Sequence, residues 1–122
     1  MTPNTAAANQ AFIQPQLQKL GVRFVERSVE EITQLRQHLQ DARAGDLAAL
    51  HQVQQLAHRM HGTGAMFGFA AVGAGAEEIE RVAERCAGSG AAVDAATFEQ
   101  LLGCMARLDK ELGRLATQLA QQ

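Results

Sequence analysis

The sequence predicts an all-α protein: an up-down-up-down antiparallel four-helix bundle with an N-terminal extension. Three observations carry that prediction. Apolar residues recur at spacings of three and four through four successive stretches, which is the period of a helix with one buried face. Proline occurs only at Pro3 and Pro15, so no proline interrupts a helix after residue 15. Tryptophan and tyrosine are absent and aromatic residues make up 4% of the chain, which leaves little material for the strands of a sandwich or barrel. With 122 residues, 47% of them hydrophobic, the chain suffices for one domain with a real core.

Residues 1–14 are expected to be a flexible or partly helical extension, because Met1 to Asn9 offer nothing to bury and should fray. Residues 15–122 should form the bundle, with helices over about 16–42, 47–67, 70–87 and 94–120. Pro15 suits a first turn, where its missing N–H costs nothing. Leu17, Leu20, Phe24, Ser28, Ile32, Leu35 and Leu39 then mark one face, which Gly21 is expected to kink or break. Gly45 can end this helix and Asp46 can cap the next.

The second helix carries Leu47, Leu50, Val53, Ala57, Met60, Gly64 and Phe67 on its inner stripe and closes at Gly68. The third follows almost at once, with Val72, Ala76, Ile79, Ala83 and Cys86 facing in. So short a link forces antiparallel neighbours. After Ala87-Gly88-Ser89-Gly90, Asp94 caps a last helix whose stripe runs Phe98, Leu101, Met105, Leu108, Leu112, Leu115 and Leu119.

Composition narrows function further. The formal net charge is −2 with the signs interspersed, so no basic field invites nucleic acid. No apolar run approaches the roughly 18 residues of a membrane span, and no basic stretch followed by an apolar run opens the chain; a cytoplasmic, monomeric protein is expected. Cys86 and Cys104 are the only cysteines. Lacking a CxxC pairing, they read as small apolar residues on helix faces.

Chemistry concentrates on the second helix, which holds His51, His58 and His61. At about 100° per residue, His58 lies about 120° from the centre of the inner stripe, on the wet side. Gly62 lies on the same face one turn on. A glycine inside an exposed helix costs about 1 kcal/mol relative to alanine, so stability has no use for Gly62, whereas access of another molecule to the His58 ring does. An exposed imidazole is a competent nucleophile when its other nitrogen is oriented by a partner. His58 lies ten residues before Gly68 and Glu80 eleven after Phe69, which sets the two level across the hairpin. Glu80 is therefore expected to accept from the His58 ring N–H, fixing its tautomer and steadying an imidazolium-like charge. The neighbouring Glu77, Glu78, Arg81, Glu84 and Arg85 read as a solvated, mutually paired surface.

The run Ala57-His58-Arg59-Met60-His61-Gly62, followed by Gly68, resembles the motif of the histidine-containing phosphotransfer (HPt) domain family, Ala-His-x-Leu-Lys-Gly with a later glycine. Met66-Phe67-Gly68-Phe69 is similar to the corresponding stretch in phosphotransfer domains of chemotaxis-type histidine kinases, in which a glutamate at a position matching Glu80 supports the histidine. The resemblance extends from about Phe24 to Leu119. It implies a four-helix bundle whose His58 accepts a phosphoryl group from a receiver-domain aspartate, or from a kinase, and passes it to a response regulator. It also implies that the chain has no autokinase activity. Gln54, Gln55, Arg59, Gly62 and Ala65 would meet the receiver domain or (hybrid) histidine kinase. Mg²⁺ would be held by the partner receiver, with no cofactor of the chain's own.

One departure stands out: the family's lysine three residues past the histidine is His61 here. Either the charge at this position depends on pH, or Arg59 or Arg81 supplies it. Two alternatives follow. The chain is a degenerate HPt-like bundle that binds a receiver or kinase without carrying phosphate, or it is a metal-binding helical bundle using His58 and His61 with His51 or Glu80. Few carboxylates face that pair, so the expectation is no metal.

Overall fold

The computed structural model describes residues 3–121, with side chains from Pro15 onward; Met1, Thr2 and Gln122 lie outside the described residues. Four helices account for nearly all of it: α1 (Pro3–Arg43), α2 (Leu47–Met66), α3 (Ala70–Gly88) and α4 (Ala95–Ala120). No strand occurs among the described residues. Each helix lies beside the ones before and after it, and α4 returns to α1, which makes the up-down-up-down bundle.

The joints follow from local chemistry. Gly45 takes φ 117° and Gly68 φ 77°, left-handed conformations that cost a residue without Cβ little. Asp46 accepts from the Ala48 N–H at 3.1 Å and Asp94 from the Thr97 N–H at 2.7 Å, each satisfying a donor that has no partner within its own helix. The backbone hydrogen bond to Asp94, reinforced by Thr97 and the more distant Arg43 charge, holds its carboxyl below the usual range.

The core is a column of Ile32, Leu35 and Leu39 from α1, Leu50, Val53 and Met60 from α2, Val72 and Ile79 from α3, and Leu101, Met105, Leu108 and Leu112 from α4. At the α2–α3 end it is closed by Phe24, Phe67 and Phe69, whose ring centroids lie 5.5 to 5.8 Å apart, the spacing at which aromatic rings attract beyond their burial. Cys104 is buried and Cys86 half-buried, both free thiols. Burial pushes both upward, aided by Asp94 at Cys86 and Glu78 at Cys104.

Four expectations for α1 and α2 are corrected. The helix α1 begins at Pro3 instead of near residue 16, with Pro15 inside it. It also runs through Gly21 without a break. Gly21 is buried because Phe69 fills its space: a Cβ there would meet Phe69 Cζ at 3.1 Å and Leu119 Cδ1 at 3.6 Å. Leu17 and Leu20 are half-exposed rather than part of the inner face. The reason is the end of α4. The Gln18 side-chain amide donates to the Leu119 carbonyl at 2.7 Å, so this part of α1 lies level with the last turn of its neighbour. Leu47 is likewise half-exposed, in the first turn of α2, and the buried stripe starts at Ala49 and Leu50.

The helices α2 and α3 meet almost backbone to backbone. A Cβ on Gly64 would lie 3.3 Å from the Gly73 nitrogen, and one on Gly73 would lie 3.7 Å from the Ala65 nitrogen and the His61 carbonyl. Missing side chains on both helices permit this approach, and it sets how far side chains must reach across the hairpin.

Candidate functional site

About two turns along from the Gly64–Gly73 contact, α2 presents His58 and α3 presents Glu80. The His58 side chain is 73% exposed and that of Glu80 16%, and the imidazole Nδ1 is hydrogen-bonded to Glu80 Oε2. A carboxylate can only accept, so the Nδ1 carries the proton. The opposite ring nitrogen, Nε2, is then left with its lone pair. A tautomer fixed in this way makes the outer nitrogen a nucleophile without a separate base.

The structure brings His61 to the same carboxylate from the other side. Its ring is one-third exposed; Nδ1 lies 4.0 Å from Glu80 Oε1 and Nε2 3.9 Å from Glu77 Oε2. His61 is thus turned toward α3, while His58 stands in the open. Glu77, read from sequence as plain solvated surface, is part of this group. The helical period was the available signal: Glu77 lies three residues before Glu80 and shares its face of α3, whereas Glu78, about 100° further round, pairs with Arg107 on α4 at 3.3 Å.

Gly62 is exposed, and a Cβ there would meet nothing within 4 Å. Its missing side chain therefore serves no packing inside the chain. With His58, Arg59, Met60, Thr63 and Met66 it lines an open groove whose far wall is Arg27 and Glu31 of α1. Those two are paired with each other at 3.2 Å. Met66 is 76% exposed, an apolar side chain at the groove's end. Arg27, Glu31 and Met66 escaped the sequence reading. Only the position of Met66, off the buried stripe, could have pointed to it.

The remaining expected contact residues are spread around α2. Ala65 and Gln55 are exposed and Gln54 is half-buried, and none of the three lines the groove. Gln55 Nε2 lies 3.1 Å from His51 Nε2. Arg59 and Arg81 are exposed. His38 is half-buried on α1. Among the described residues no three histidine, cysteine or carboxylate side chains are grouped to hold a metal ion, and no helix is long and apolar enough to cross a membrane.

A family model described as Hpt domain matches residues 22–121. No curated protein and no solved structure matches the chain.

Proposed function

The chain belongs to the Hpt domain family, whose members are histidine phosphotransfer domains working with receiver domains and histidine kinases, and from that premise we propose that His58 is its phosphoacceptor. The observation that carries the proposal is an exposed His58 whose Nδ1–H is held by Glu80, which leaves Nε2 open beside the side-chain-free surface of Gly62.

In the transfer, the Nε2 lone pair attacks the phosphorus of an aspartyl phosphate on the partner receiver. The N–P bond forms, the P–O bond to the aspartate breaks, and its electron pair leaves on the restored carboxylate. The His58 ring keeps its Nδ1 proton and carries the positive charge, which Glu80 offsets across the hydrogen bond. The reverse sequence delivers the phosphoryl group to a second receiver. Little covalent work falls to this chain; it supplies position and orientation.

The Arg27–Glu31 pair, Arg59 and Met66 offer a docking receiver a mixed polar and apolar rim around His58. Mg²⁺ is held by the partner, and the phosphoryl group comes from outside, so the chain is a carrier without autokinase activity.

The test is incubation with a phosphorylated receiver domain, followed by intact-mass and acid-lability measurement, with His58→Gln alongside. An acid-labile, base-stable adduct on the wild type, lost in the variant, is expected. An adduct surviving the substitution would move the acceptor to another histidine, His61 first. Binding without any adduct across several receivers would make the chain a binding module.

A further inference from the structure

His58 stands on α2 between two neighbouring helices. Both α1 and α3 pack on α2 and, among the described residues, they do not touch each other. Because Nδ1 is tied to Glu80 on α3, the ring edge that carries Nε2 is turned away from α3, toward the groove whose far wall is α1. Glu31 and His58 lie fourteen residues before and thirteen after Gly45, in the turn between the two helices, so they are nearly level. Arg27 starts one turn farther along α1 and reaches back to Glu31, with Nε 3.2 Å from Oε1. Its guanidinium thereby returns to the level of His58.

The two members of that pair are not equally placed. The Arg27 side chain is 61% exposed and that of Glu31 15%, so the anion is tucked against the bundle and the cation stands outside it. A carboxylate met at Nε occupies one edge of the guanidinium and leaves the rest of its five N–H donors for a second anion. We propose that Arg27 is a catalytic residue of the transfer: its guanidinium contacts the phosphoryl group as it passes to and from His58 Nε2. The groove between α1 and α2 is then a phosphoryl subsite completed by a residue of α1. The inference rests on the reading of His58 as phosphoacceptor and adds to it a group from another helix.

The physical argument concerns the charge in transit. While the N–P bond forms and the bond to the leaving group breaks, negative charge is spread over the three outer oxygens of the phosphoryl group, and a planar guanidinium can donate to two of them at once. Arg27 neither gives nor takes a proton; it offsets that charge from a position set before the reaction begins. Arg59 lines the same groove, but it rises from the same helix as His58. Only the approach of Arg27 from the opposite wall closes the subsite around the phosphoryl group.

The test uses the full chain and a small donor, phosphoramidate, so that docking of a receiver plays no part. Its P–N bond breaks as the His58 N–P bond forms, and the nitrogen leaves as ammonia after taking a proton from water. Labelling rates are compared for wild type, Arg27→Gln, Glu31→Gln and the double variant. An exposed pair one helical turn apart contributes little to stability, so all four proteins should fold, with the thermal midpoint as the check. Arg27→Gln should slow labelling about fivefold, the factor expected from unit charges about 4 Å apart in water. The double variant should be slower than Glu31→Gln by the same factor. An effect of Arg27→Gln that disappears in the Glu31→Gln background overturns the inference, because Arg27 would then only mask the Glu31 carboxylate.

Arg36→Gln removes the same charge from a part of α1 that pairs with Asp109 on α4, and it should label at the wild-type rate. A drop equal to that of Arg27→Gln would make the effect one of net charge and overturn the inference as well. Labelling that proceeds at one rate with and without Arg27 overturns the inference alone. Should phosphoramidate label none of these proteins, wild type included, the phosphoacceptor reading fails and the inference falls with it.

Discussion

Two glycines on α2, two positions apart, face opposite demands. Gly64 is buried against Gly73, where an added Cβ would come within 3.3 Å of backbone. Gly62 is exposed, and an added Cβ would meet nothing within 4 Å. Both weaken the helix by roughly the same amount, about 1 kcal/mol each relative to alanine. At Gly64 the close approach of α3 offsets that cost, and the same approach lets Glu80 reach His58. At Gly62 nothing inside the chain does. One face of the helix is thus shaped by its own bundle, and the other by something that is absent from the chain.

The largest effect should come from breaking the inner face. Gly64→Val must push α2 and α3 apart or bend one of them. Overpacking of this kind costs about 2 kcal/mol, to which the β-branched side chain adds slightly in a helix. Urea unfolding should show the loss. The same displacement lengthens the His58–Glu80 contact, so labelling by phosphoramidate should fall at denaturant concentrations where the variant is still folded. Full labelling in a destabilised but folded variant would separate the hairpin spacing from the chemistry.

A smaller change of opposite sign is expected on the outer face. Gly62→Ala should stabilise the chain by about 1 kcal/mol and leave phosphoramidate labelling unchanged, while transfer from a phosphorylated receiver slows severalfold. Greater stability together with slower receiver transfer identifies Gly62 as space kept for a partner. Unchanged receiver transfer would mean that the docked partner stands clear of this position.

The same contrast explains what the sequence made legible. Helical period and proline placement revealed four helices, and the turns at Gly45 and Gly68 fixed their ends to within a residue or two, because caps and left-handed turns are local. Counting across the short α2–α3 link set Glu80 level with His58, and in the structure the two meet. The break expected at Gly21 does not occur, and the space it leaves is filled by Phe69, nearly fifty residues away in sequence. Leu17, Leu20 and Leu47 were misassigned for a related reason: whether an apolar position is covered depends on where the neighbouring helix ends. The α1 wall of the groove was invisible because rotation of one helix against another decides which charges face a given histidine, whereas Glu77, three residues before Glu80, shared its face and was passed over. Ser28 shows the limit from the other side. It was correctly placed on the buried face of α1, yet its hydroxyl has no partner there, and no feature of its sequence neighbourhood announces that.

The smallest effect is expected farthest from both faces of α2, at the cap of α4. The Asp94 carboxyl is held below its usual range chiefly by the hydrogen bond from the Thr97 N–H. A group whose folded-state pKa is depressed stabilises the fold above its unfolded value and loses that contribution as pH falls through the folded value. The Asp94 contribution should therefore be intact above about pH 4 and disappear as the solution is acidified further. Asp94→Ala should lower the thermal midpoint modestly at pH 7 and leave it nearly unchanged relative to wild type at pH 2.5. Transfer through His58 should be the same in both proteins at pH 7, since Asp94 touches neither the α2–α3 contact nor the groove. A loss of transfer on removing this cap would mean that the end of the bundle distant from His58 is coupled to the site, and the division between an inner face that builds α2 and an outer face that serves a partner would have to extend to α4 as well.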